Sequence, residues 1–159
     1  MLSTRDYMLR LEREMMVGGG RWVADFVESY WGYPAGGVTF DMFVHGGMRP
    51  KGYALSRLVA RFAMPDYLAG CFVHVTQPEA NGLTGIVKAA RGHMKELELK
   101  WSWLVLPSEQ PFTAKAKARI MKNDLEEIGI GLVDLSSEEI ITNQSYPGRR
   151  MARFIGCFK

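Results

Sequence analysis

The sequence predicts a single α/β domain, with a mixed central sheet flanked by helices. Three observations lead there. The chain has 159 residues, 47% of them hydrophobic and 23% charged, which is enough to bury one core without staples. Two stretches, Trp101–Leu106 (WSWLVL) and Ile130–Leu135 (IGLVDL), are apolar on both faces, as strands covered on both sides of a sheet must be. Helical periodicity precedes each of them, at 81–97 and 113–128, so the second half alternates helix and strand as parallel sheets do.

The first elements are helical in pattern. In 4–17, Met8, Leu11 and Met15 fall at i, i+3 and i+7; in 21–31, Trp22, Val23, Phe26, Val27 and Tyr30 make one apolar stripe. Gly18-Gly19-Gly20 separates them, and three glycines would cost a helix interior about 1 kcal/mol each. Gly32, Pro34, Gly36 and Gly37 mark a loop. Val38–Val44 alternates as a strand does, and His45-Gly46-Gly47 ends it. Residues 48–64 fit helix or irregular strand equally. Cys71–Gln77 (CFVHVTQ) reads as a strand between Ala69-Gly70 and Pro78.

Asn81–Leu97 reads as a helix with Leu83, Ile86, Val87, Ala90, Met94 and Leu97 in period, and Pro107 closes the strand 101–106. Thr113 is a candidate N-cap for a helix over 113–128, with Gly129 or Gly131 beyond its end. Glu138–Asn143 is a last, exposed strand, and Pro147-Gly148 a turn. The organisation is therefore one domain over 1–159: a helical segment 4–31, a mixed-sheet core 38–143 and a basic tail 144–159. Strands 71–77, 101–106 and 130–135 should be neighbours in one sheet, with 101–106 central and parallel to 130–135.

Composition excludes several classes. No uncharged apolar run approaches the ~20 residues of a membrane span. The first residues carry Asp6, Glu12 and Glu14 where a secretion signal needs an apolar stretch, so a cytoplasmic protein is expected. Cys71 and Cys157 alone make neither a disulfide framework nor a four-thiolate zinc site. Net charge is only +3. Its distribution is uneven: Arg49, Lys51, Arg57 and Arg61 lie in a stretch without acids, Arg149, Arg150, Arg153 and Lys159 in another, and Lys115, Lys117, Arg119 and Lys122 form a third group. Such clusters suit either a phosphate-binding face or ordinary solvated surface.

The element order resembles the restriction-endonuclease-like superfamily, the PD-(D/E)XK nucleases and archaeal junction resolvases. There, a helix bearing a Glu precedes a three-stranded meander that carries Pro-Asp and then Glu-x-Lys, and helix, strand, helix and strand follow. This chain has Leu11-Glu12-Arg13-Glu14 on its first helix, Pro65-Asp66 before a β-turn, and, on the next strand, His74-Val75-Thr76 where Glu-x-Lys would stand. The resemblance implies a site at Asp66, His74 and Thr76, with Asp66 and Glu79 as metal ligands. Such a site is degenerate. Mg²⁺ prefers hard oxygen ligands over the His74 imidazole, and Thr76 lacks the charge with which a Lys steadies the attacking water. Glu79, Lys88, Glu12 and Glu14 are the conceivable replacements.

The resemblance thus implies a protein that binds DNA or RNA through Arg49, Lys51, Arg57, Arg61, Arg149 and Arg150, without standard metal-dependent cleavage. No cofactor is expected beyond weakly bound Mg²⁺. Plainer roles compete: Asp66 as a turn residue, His74 as a hydrogen-bonded structural histidine, Cys71, Trp101 and Trp103 as core, and Asp134 as a turn cap. A second reading is a protein–protein interaction module or homodimer built on loop aromatics such as Tyr30, Trp31, Tyr33, Met48 and Tyr146. An enzyme acting on a small acidic substrate is a third.

Overall fold

The structure is a computed structural model and describes residues 1–19, 25–47 and 68–159. The ambiguous stretch 48–64 lies outside the described residues, as do Asp66, Arg49, Lys51, Arg57 and Arg61.

Helix α1 (Thr4–Met16) is capped by Ser3, whose hydroxyl accepts from Asp6 N at 3.1 Å. It buries the expected stripe of Met8, Leu11 and Met15, together with Tyr7. A second helix over 21–31 does not follow. Residues 20–24 are not described, and Asp25–Ala35 is strand β1. The stripe inferred there does not share a buried face: Phe26 is buried, whereas Val27 and Tyr30 are exposed. Aromatic and β-branched residues favour a strand once a partner is supplied. The partner is β2 (Val38–Gly47), joined through Gly36-Gly37, whose φ of 58° and 80° suit a two-residue hairpin turn. Gly32 and Pro34, expected in a loop, thus lie within β1, and His45-Gly46-Gly47 extends β2 rather than ending it.

Strand β3 (Leu68–Val73) pairs antiparallel with β2 and parallel with β4 (Trp101–Ser108). It starts and stops earlier than 71–77. Helix α2 (Leu83–Glu96) buries Leu83, Ile86, Val87, Ala90 and Met94 as its period requires. Pro107 does not close β4. It lacks an N–H, but its carbonyl accepts from Thr76 N at 3.1 Å, and the strand continues to Ser108 opposite Asp134.

Helix α3 (Ala114–Met121) carries the expected cap, Thr113 Oγ1 accepting from Ala116 N at 3.2 Å. It ends well short of 128. Asn123 Oδ1 accepts from Leu125 N at 3.1 Å, a local turn that competes with continued helix. Ile128 instead opens β5 (Ile128–Asp134), which is buried throughout and parallel to β4. Gly129 and Gly131 are therefore strand residues, not helix terminators. Strand β6 (Glu139–Thr142) is the half-exposed antiparallel edge. Pro147-Gly148, expected as a turn, lies in the first turn of helix α4 (Tyr146–Met151). Ser145 caps it, its hydroxyl accepting from Gly148 N at 3.0 Å, and a proline near a helix start forgoes only an unpaired donor.

The six strands form one mixed sheet in the order β1-β2-β3-β4-β5-β6. The regions around 71–77, 101–106 and 130–135 are adjacent, and β4 is interior and parallel to β5, as the sequence predicts. Residues of α2 and α3 pack on one face with Phe40, Phe43, Phe72 and Leu104. Residues of α1 and α4 cover the other with Met42, Cys71, Val73 and Trp103.

Candidate functional site

The sheet splits where β2 and β3 part. Their last paired residues are Met42 and Val73. Beyond this point β3's continuation stays bonded to β4, with His74 N donating to Val105 O at 3.0 Å. On the other side a side chain replaces the ladder: Asp41 Oδ2 accepts from Val75 N at 2.7 Å. His74 Nδ1 lies 3.8 Å from Asp41 Oδ2 and 3.3 Å from Thr39 O. The His74 and Asp41 side chains are 25% and 40% exposed, so solute can reach both. Such a carboxylate–imidazole pair can exchange protons with a bound group.

Of the expected site, His74 is brought to a carboxylate, but that carboxylate is Asp41, which the expectation did not include; Asp66 lies outside the described residues. Thr76 is half-buried and tied through its backbone to Pro107, and Glu79 is exposed in the turn before α2. Glu12 is engaged elsewhere, accepting from Ser29 Oγ at 2.5 Å and Trp31 Nε1 at 3.1 Å on β1. Glu14 accepts from Gly19 N at 2.8 Å, and Lys88 is exposed on α2. Among the described residues there is no group of three or more His, Cys, Asp or Glu placed to hold a metal ion. Asp41 was missed in sequence because only strand pairing carries it to His74, across more than thirty residues of chain.

Asp134 ends β5 at the same end of the sheet. It is 2% exposed, and its oxygens accept from the backbone N–H and hydroxyl groups of Ser136 and Ser137 at 2.6–3.1 Å. Burial by itself would raise its pKa. The hydrogen bonds from the two serine hydroxyls and backbone amides outweigh it and hold the carboxyl below its ordinary range. Asp134 is a turn cap with its lone pairs in use. Of the other histidines, His93 is held at both nitrogens, Nε2 2.8 Å from Tyr33 Oη and Nδ1 2.9 Å from Glu96, while His45 Nδ1 lies 3.9 Å from Glu28 and its buried Nε2 has no hydrogen-bond partner among the described residues.

A second locus lies at the opposite end of the parallel strands. An open cleft of about 620 Å³ runs between the end of α3 and the start of α4, lined in part by Lys122, Arg149 and Tyr146. Tyr146 is 64% exposed. The Arg150 guanidinium lies 5.6 Å from its ring centroid and donates to its hydroxyl at 3.1 Å, and Arg149 donates to Gln144 O. Gly47 and Leu68 are paired at this same end, so the stretch bearing Arg49, Lys51, Arg57 and Arg61 leaves and rejoins the described structure there. Of the third basic group, Lys117 is paired with Glu139, Arg119 donates to Thr84, Lys115 is exposed on α3, and Lys122 lines the cleft. Trp103 is fully buried, with Trp101 packed on it at 5.4 Å, so this pair belongs to the core.

Comparison of the chain with family models, with curated proteins and with solved structures finds no match.

Proposed function

We propose that the chain is a nucleic-acid-binding protein of restriction-endonuclease-like fold that lacks the standard metal-dependent phosphodiester cleavage. Three features support this reading. Helix, three-stranded meander, helix, strand, helix and strand follow one another in the superfamily's order, within a sheet whose strands lie in sequence order. His74-Val75-Thr76 stands where the resemblance puts Glu-x-Lys, beside the carboxylate of Asp41. The observation that carries the binding function is the cleft, where Lys122 and Arg149 meet an exposed aromatic ring at the sheet end from which the 48–67 stretch departs. Cations with an exposed ring suit phosphate and base together.

The test is binding and cutting measured side by side. Affinity for DNA or RNA is expected to fall with salt, with a log–log slope of roughly −0.9 per phosphate contact on duplex DNA. Changing Arg57 and Arg61 together to Ala should make that slope shallower. Millimolar Mn²⁺ should neither induce cutting nor raise the melting temperature appreciably, because stabilisation follows ligand concentration over Kd. Absence of binding at low salt overturns the function, and divalent-dependent cutting abolished by Asp66→Ala or Asp41→Ala overturns the loss of catalysis.

One observation favours a protein-interaction reading. β1 is an eleven-residue edge strand with Val27, Tyr30 and Trp31 exposed, and long apolar edges invite pairing with another chain. A concentration-dependent dimer in sedimentation, lost on Trp31→Lys, would favour it.

A further inference from the structure

We infer that the α3–α4 cleft takes unpaired nucleotides, so that this protein prefers single-stranded nucleic acid, or strand ends and flaps, to continuous duplex. The inference rests on the nucleic-acid reading above and adds the class of substrate. It is carried by what meets in the cleft. Tyr146 lines it with a ring that is 64% exposed. The Arg150 guanidinium lies 5.6 Å from the centroid of that ring and is not among the residues that line the cleft. A flat, exposed aromatic ring can stack only on a base that has left its own stack.

The charges in the cleft point the same way. Lys122 and Arg149 supply two cations, but Asp124 and Glu126 line the same cleft. A duplex presents phosphates on both strands and would press one row against these carboxylates. A single strand has one row of phosphates to place on Lys122 and Arg149. Its base edges then carry amino groups that Asp124, Glu126 and the Asn123 amide can meet as acceptors. The open cleft of about 620 Å³ has room for one or two nucleotides.

The experiment is fluorescence anisotropy on the full chain at low salt. The probes are a short fluorescein-labelled oligonucleotide of adenosine and cytidine, whose bases carry amino groups and do not pair with one another, and a hairpin duplex of the same length. The single strand should bind about tenfold more tightly. Tyr146→Ala should weaken single-strand binding about tenfold, the usual scale for losing one stacked base, and leave duplex binding nearly unchanged. Tyr146→Phe should retain single-strand affinity, because the ring and not the hydroxyl does the stacking. Arg149→Ala should weaken both and make the salt dependence shallower. Tyr146 and Arg149 are exposed, so unaltered thermal unfolding of each variant establishes that the fold is intact. Equal or tighter duplex binding, or a Tyr146→Ala variant that binds the single strand as well as the parent, overturns the inference and leaves the nucleic-acid reading standing. Binding of neither probe overturns both.

Discussion

At the scale of single residues, function and stability compete for the same carboxylates, and the geometry separates them. Asp134 spends its oxygens on Ser136 and Ser137. Removing it with Asp134→Ala leaves those donors short of partners and should cost about 1–3 kcal/mol in denaturant unfolding. Its pKa is lowered in the folded state. The stability it adds is therefore fully present above the unfolded carboxylate's value, about 3.9, and is lost as pH falls through the lower folded value. The gap between parent and Asp134→Asn should accordingly shrink as the measurement moves from about pH 5 down into that range. Equal gaps at both ends would show that Asp134 acts by packing alone. Asp41 differs in being two-fifths exposed and in facing a histidine. The Cys71 thiol, wholly buried, is pushed up to about 12 by desolvation and secondarily by Cys157. It should resist alkylation in the native protein and react only on unfolding.

At the scale of elements, two local devices hold the cleft's walls. Thr113 caps α3, and Thr113→Ala should cost about 1 kcal/mol, read as a lower denaturation midpoint with unchanged slope. The start of helix α4 approaches the backbone of β5 closely at Gly129. A Cβ at Gly129 would stand 2.6 Å from Gly148 N and 2.7 Å from Pro147 C, both backbone atoms of the helix start. Gly129→Ala must push α4 outward and should destabilise by about 1–3 kcal/mol, with a further loss of nucleic-acid binding because Tyr146 and Arg149 move with the helix. Retention of full stability would mean that α4 can shift without cost. Packing explains why Gly129 and Gly131 mislead as helix terminators: glycine in a strand also marks a close approach, of the α4 backbone at Gly129 and of the Met151 and Ile155 side chains at Gly131.

At the scale of the whole molecule, the two loci sit at opposite ends of the parallel strands. Asp41 and His74 lie past the end of β3, and the cleft lies where β5 begins. Substitutions at the two should therefore act independently on binding. Asp41→Ala combined with Arg149→Ala should lose the sum of the two single effects in binding free energy, whereas a larger or smaller loss would show one continuous site. Among the described residues no helix is long and apolar enough to cross a membrane.

The α/β class, the buried strands β4 and β5, the apolar face of α2, the cap at Thr113 and the uneven charge were legible in the sequence, because each is written in periodicity, burial on both faces or a local hydrogen bond. The strand β1 was not. Its apolar residues also fit a helical period, and only the hairpin with β2 decides that Phe26 turns inward while Val27 and Tyr30 face out. The strand glycines were likewise decided by what packs against them, whereas the end of α3 and the helix at Pro147 rest on local hydrogen bonds of Asn123 and Ser145 that residue periodicity does not show. The sites follow the same division. Basic residues and Tyr146 were visible one by one, but the cleft exists only because the end of α3 lies beside the start of α4, and the Asp41–His74 pair only because two strands diverge. Local chemistry depends on neighbours in the chain and can be read from it. A site depends on neighbours in space, and those are set by long-range pairing and packing.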